Sequence, residues 1–185
     1  DTVLLAAGVE MDSELGALCA GASPGGQRPW ATFGLALAVL PDPHWSALTP
    51  VRPLRRWRLV EPTDDASLVN ARLKLDERVL HHLAGAGFLD TRLQALLQPV
   101  QVPATMAPRQ QTLAQALAAA IAEAGEPVPV VQLWGKDRHG KRDIAASAAA
   151  RLGLQLYAMA CEDLPESAQE LEALAVLWQR EAVLL

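Results

Sequence analysis

Residues 128–142 read Val128-Pro129-Val130-Val131-Gln132-Leu133-Trp134-Gly135-Lys136-Asp137-Arg138-His139-Gly140-Lys141-Arg142. The apolar run Val128–Trp134 predicts a strand of the kind buried in a parallel sheet. Gly135–Gly140 reads as a loop, and Lys141–Leu152 as an Ala-rich helix. The segment matches G-x-x-x-x-G-K, a phosphate-binding loop, up to its last position. Glycines allow backbone conformations that other residues resist. Successive N–H groups can then turn inward around phosphate oxygens, with the positive end of the following helix on the same anion. The expected nucleotide-binding residues are Gly135, Lys136, Asp137, Arg138, His139, Gly140, Lys141 and Arg142, with Lys141 reaching the β- and γ-phosphates. The competing reading is a Gly-rich surface turn between a strand and a helix.

One position departs from the motif. A Ser or Thr after the lysine would ligate Mg²⁺, and here Arg142 stands there. A guanidinium has no lone pair to offer a cation. Three consequences stay open: nucleotide binds without a properly held Mg²⁺, Arg142 contacts phosphate itself, or the loop binds nothing. Hydrolysis also needs an acidic residue at the end of a neighbouring strand. None follows before Leu185, and Glu162 and Asp163 read as a solvated turn. No catalytic residue and no metal ligand is therefore assigned. The expected cofactor is ATP, without a complete Mg²⁺ site, and the chain as written should not hydrolyse it.

Outward from this segment, Leu154–Met159 predicts a second strand, Ser167–Gln179 a helix, and Ala182–Leu185 the start of a third strand. Strand and helix alternate, which is an α/β layout with a parallel sheet. Upstream, Gln110–Ala124 predicts a helix with Leu113, Leu117 and Ile121 on one side, closed by Gly125. Residues 99–109 carry Pro99, Pro103 and Pro108 and read as a linker. The expected division is a first domain over 1–98, the linker 99–109, and the N-terminal part of an α/β domain over 110–185.

The first domain begins with helix over about twenty residues, with Asp12 as an N-cap. Ala20–Gly26 reads as a loop, Thr32–Leu40 as a helix stopped by Pro41, and Pro43–Leu48 as a third helix. Leu54–Val60 (LRRWRLV) predicts a strand. Glu61–Ser67 reads as a turn, and Val69–Leu75 alternates at period two as a second strand, making a hairpin. Asp76 caps a helix that stops at Gly85, and Leu89–Leu97 predicts another.

The 185 residues are 51% hydrophobic and 20% charged, with a mean hydropathy of +0.13. Such a chain buries a core, which excludes wholesale disorder. No apolar run is long enough for a transmembrane helix. The net charge of −5 excludes a general nucleic-acid coat. Cys19 and Cys161 lack metal-ligand spacing and read as buried, reduced thiols of a cytoplasmic protein. No signal peptide is visible, and both ends read as cut from a longer protein.

The stretch PVVQLWGKDRHGKRDIAASAAARLGLQLYAMACEDLP resembles the first strand, phosphate loop, helix and second strand of AAA+ P-loop ATPases. The persuasive part is Gly-Lys-Arg, then Ile-Ala, then Ala-Arg-Leu-Gly-Leu-Gln-Leu. Arg180–Leu185 is similar to the approach to the next strand. Residues 1–98 resemble the α+β winged-helix domain that precedes the AAA+ module in a group of bacterial ATPases, some of which accompany contractile injection systems. Arg55–Val60 and Leu75–Gly85 carry that likeness. The resemblance implies a degenerate Walker A module, with any catalysis downstream of Leu185, and ATP-driven remodelling of a protein partner. The whole protein is expected to be a homo-oligomer.

Arg55, Arg56 and Arg58, with Arg52, crowd Trp57 and are the candidate partner or DNA contacts. Against DNA, Pro43–Leu48 contains no Lys or Arg, and the hairpin tip carries Asp64 and Asp65. Residues 1–98 hold 9 basic and 11 acidic side chains, a net of −2. A protein contact is the favoured role, with a DNA-binding regulator and a non-catalytic scaffold as the other readings. His81 and His82 point about 100° apart on a helix and cannot share a metal. The five tryptophans read as packing residues, Trp134 also being placed to meet a bound base.

Overall fold

The computed structural model describes residues 1–23, 28–63, 67–125 and 127–185. The chain forms two units: residues 1–90 with 166–185, and residues 91–165.

The first unit opens with α1 (Thr2–Met11) and α2 (Ser13–Ala22). Asp12 separates them, because its carboxylate accepts the Glu14 N–H at 2.8 Å and starts a new helix there. Helix α3 (Phe33–Val39) is capped by the buried Thr32, which accepts the Leu35 N–H at 3.0 Å. Trp45–Leu48 is one turn of 3-10 helix, in place of the expected third helix. The predicted loop Ala20–Gly26 lies partly in α2, and its residues 24–26 lie outside the described residues.

The expected strand Leu54–Val60 is corrected. Pro53–Arg56 forms a short helix, α4, with Pro53 in its first turn, where a missing N–H costs nothing. Arg58 then takes a left-handed φ of 49°, and the Leu59 N–H returns to the Leu54 carbonyl at 2.9 Å. Only Val60 of that stretch is extended. It opens β1 (Val60–Pro62), which pairs antiparallel with β2 (Leu73–Leu75), Val60 opposite Leu75 and Pro62 opposite Leu73. Asp64 and Asp65, at the expected tip, lie outside the described residues. Ala31 adds a single bond to this hairpin, its carbonyl accepting the Leu73 N–H at 2.9 Å.

Val60, Leu73 and Leu75 point into a core shared with Ala6, Ala7, Phe33, Leu48 and Val79. Helix α5 (Glu77–Leu83) begins at the predicted cap, Asp76, which accepts the Arg78 N–H at 3.0 Å. Helix α9 (Ala168–Leu184) brings Leu184 against the same core. Where a strand is expected at Ala182–Leu185, residues 182–184 are thus helix and Leu185 is its C-cap. These apolar residues continue the helical run, and buried charges one turn earlier fasten it. Arg78 Nε–H donates to Glu181 Oε2 at 3.0 Å, and Arg180 donates to Asp90 at 2.6 Å. Arg180 also lies 3.2 Å from Asp76 and donates to the Arg58 carbonyl at 3.3 Å.

The second unit contains α6 (Thr91–Gln94), β3 (Gln98–Pro99), α7 (Pro108–Ala124), α8 (Arg138–Arg151) and β4 (Tyr157–Ala158). The helix expected over Leu89–Leu97 is one turn only, because Gln98 and Pro99 pair antiparallel with Ala158 and Tyr157. The Val100 N–H extends this ladder to the Leu156 carbonyl at 2.9 Å. Residues 99–109 are therefore built into this unit, and the division between units falls after Asp90.

Helices α7 and α8 pack against each other, and Ala114 and Ala118 of the one and Ala146 and Ala148 of the other are buried. Small side chains let the helices come close. Leu113 stays half exposed, so the buried stripe of α7 is turned from the one predicted. Gly125, with φ of 68°, ends α7 as expected.

The run Val128–Trp134 forms no strand among the described residues, and Val130 is fully exposed. Both described sheets are antiparallel pairs, so the parallel sheet expected from the strand–helix alternation is not formed by them. The physical reason is local. A buried strand needs a neighbour on each side, and residues 98–100 pair with residues 156–158 instead. No helix among the described residues is long and apolar enough to cross a membrane.

Candidate anion-binding site

The start of α8 carries the expected phosphate loop, and its geometry differs from the expectation. The helix begins at Arg138, so His139 and Gly140 belong to its first turn and not to a loop. Asp137 is the N-cap, its carboxylate accepting the Gly140 N–H at 2.9 Å. An amide that a phosphate oxygen would need is thus already taken by a side chain of the same segment. Arg138 and His139 keep first-turn N–H groups without an intrahelical acceptor.

The two glycines have different reasons. Gly135 has φ of 146° with open space on its side-chain side, so its backbone conformation is what excludes other residues. Gly140 is helical. A Cβ there would collide with the Asp137 carboxylate and come within 2.6 Å of Gln110 Nε2 on α7. Glycine at 140 is needed for the cap and for the approach of α7.

Helical spacing brings the cations together. Arg138, Lys141, Arg142 and Ala145 stand at i, i+3, i+4 and i+7 and line one cleft of about 510 Å³. Leu96, Val100, Leu133 and Leu156 contribute apolar wall, and Asp163 is the one carboxylate on the lining. No carboxylate of a described residue lies within ion-pair distance of Arg138, Lys141 or Arg142. Three cations at a helix N-terminus, beside an apolar wall, suit a ligand with an anionic end and a flat or apolar body.

Of the eight predicted residues, Arg138, Lys141 and Arg142 meet in the cleft. Gly135, Lys136, Asp137, His139 and Gly140 do not line it. Trp134 is 83% exposed and outside the lining. Asp163, read from sequence as a solvated turn residue, does line it, on the 3-10 turn Cys161–Asp163. Its only sequence signal was its place just after the second predicted strand.

The residues present suit Mg²⁺ poorly. Magnesium bound with phosphates takes one or two protein oxygens in near-octahedral geometry. Arg142 offers none, which leaves the single carboxylate of Asp163.

In the first unit, the arginine cluster is divided. Arg55 donates to the Leu48 carbonyl at 3.3 Å, and Arg56 stands over the Trp57 ring at 5.8 Å. Arg58 turns the chain, with its carbonyl held by Arg180. Arg56 alone of the three is exposed. Cys19 is buried as expected, which raises its thiol pKa by desolvation, whereas Cys161 is exposed. His81 stands 3.7 Å from Glu77 and edge-on to Phe88.

No protein-family model matches the chain, and no curated protein or solved structure is significantly similar to it.

Proposed function

We propose that residues 91–165 bind a nucleotide through its phosphate chain, as an AAA+-like module that does not itself hydrolyse it. The observation that supports this reading is the convergence of Arg138, Lys141 and Arg142 on one cleft with an apolar wall. Lys141 is the anchor, and the apolar residues offer a surface for the base. Hydrolysis is not proposed, because a metal ligand is missing at position 142 and one carboxylate cannot both hold a cation and orient water.

The rest of the chain is proposed as an interaction domain of winged-helix type. Its support is element order: α2, the Ala31 bridge, α3, the helical turns from Trp45 to Arg56, then the β1–β2 hairpin. A protein partner is favoured over DNA, since the Arg55 side chain is engaged within the unit and Arg56 alone of the three is exposed. The setting proposed is cytoplasmic, in a homo-oligomeric remodelling machine.

Calorimetric titration of ATP tests the nucleotide reading. Binding is expected, with loss of at least about tenfold in Lys141→Ala, since charge-assisted phosphate contacts are worth roughly 1.5–3 kcal/mol. Absence of heat at millimolar ATP would leave the second reading, an inert scaffold. That reading has its own support in the Asp137 carboxylate, which holds the Gly140 amide a phosphate would take.

A further inference from the structure

Arg142 stands where a hydroxyl ligand to Mg²⁺ is expected, yet it lines the same cleft as Lys141 and Arg138. Its position is therefore not vacant with respect to an anion. An exposed guanidinium, with five donors and a permanent charge, occupies the place of a metal's counter-charge. Arg142 and Lys141 are adjacent in sequence, and Arg138 is one turn back. The three together can neutralise a phosphate chain from one side of α8. The Asp137 cap strengthens the dependence on side chains, because it withdraws a backbone donor from the anion.

We propose that the cleft takes its nucleotide as the metal-free polyphosphate anion, with Arg142 supplying the charge that Mg²⁺ would otherwise bring. The inference rests on the nucleotide reading above. Its sign is opposite to that of an Mg²⁺-dependent site. Magnesium chelated by ATP halves the anion's charge and competes with Arg142 for the same oxygens. Magnesium therefore weakens binding here or leaves it unchanged. The one opposing group is Asp163, a carboxylate on the lining that could hold a cation.

The test is calorimetric titration of ATP into the full chain, once with excess EDTA and once with excess Mg²⁺. The wild type is compared with Arg142→Ser, Lys141→Ala and Asp163→Asn, each checked for unchanged helicity by circular dichroism. Arg142 is exposed, so its replacement leaves the fold intact. Wild-type binding in EDTA, equal to or tighter than binding with Mg²⁺, is the expected result. Arg142→Ser, which installs the hydroxyl, loses about tenfold or more in EDTA and becomes Mg²⁺-dependent.

Binding by the wild type only with Mg²⁺ overturns the proposal and leaves the nucleotide reading standing. Loss of that binding in Asp163→Asn would then locate the metal. Binding in EDTA that is indifferent to Arg142→Ser overturns the role of Arg142. No binding in either buffer overturns both readings.

Discussion

Glu181, near the end of α9, accepts the Nε–H of Arg78 at 3.0 Å, with both side chains essentially removed from solvent. The same Glu181 oxygen accepts the Asp90 N–H at 3.2 Å, and the neighbouring Arg180 reaches the Asp90 carboxylate at 2.6 Å. A buried pair of this kind gives little net stability against a hydrophobic substitute, but breaking it strands a charge. Glu181→Ala leaves Arg78 buried without its carboxylate. It is expected to destabilise the first unit by about 3–5 kcal/mol, read as a fall in urea midpoint. The double change Arg78→Met with Glu181→Leu should recover most of that loss.

Gly140→Ala and Gly135→Ala should fail for different reasons. At 140 a methyl meets the Asp137 carboxylate and Gln110, an overpacking cost of roughly 1–3 kcal/mol. That cost should shrink in Gly140→Ala combined with Gln110→Ala. At 135 the space is open and the backbone conformation is the obstacle, so trimming neighbours should restore nothing. Thermal melts of the three variants separate the cases.

Residues 128–134 present apolar side chains to solvent, and their backbone groups make no hydrogen bond to a described residue. An apolar segment with free backbone donors and acceptors is a template for pairing. Pro129 removes one donor, so pairing should run from Val130 onward. Concentration-dependent association by light scattering is expected, and Val130→Lys should reduce it. A monodisperse monomer at high concentration would contradict this expectation.

The two thiols should differ sharply in reactivity. Burial raises the Cys19 pKa and shields its sulfur from reagents, whereas Cys161 is exposed. Alkylation of the native protein at mildly alkaline pH should label Cys161 first, by mass spectrometry, with Cys19 following only on unfolding. The thiol is the favoured form in the folded state. Its contribution to stability is therefore full below the unfolded pKa and lost as pH rises through the folded one.

Local signals in this chain were readable where one residue acts on its neighbours. Asp12 and Asp76 cap helices and Gly125 ends one, whereas the hairpin forms with its first strand moved into the expected turn, over Val60–Pro62, and its second cut to Leu73–Leu75. The stretch LRRWRLV misled because period and propensity do not reveal a positive φ at Arg58 or a proline-started turn at Pro53. Val128–Trp134 misled for another reason: an apolar run states what a segment would bury, not which strand stands beside it. The last residues, Ala182–Leu185, read as strand because a count of apolar residues does not register Arg180 and Glu181. These charged side chains are buried and hold the helix in place. The cleft was half legible. The phosphate-loop reading included Arg138, Lys141 and Arg142, which meet in the cleft, while the capping role of Asp137 and the apolar wall depend on how α8 starts and what packs beside it.

The first unit is discontinuous in sequence, with α9 returning to the core begun by α1. On a ribosome, residues 91–165 emerge before residues 166–185 do. The second unit can therefore finish folding while the first still lacks its last helix. Until that helix arrives, Arg78 and Asp90 have no Glu181 or Arg180 to meet. An early-released or stalled chain would expose that charged seam, the place where a chaperone would be needed.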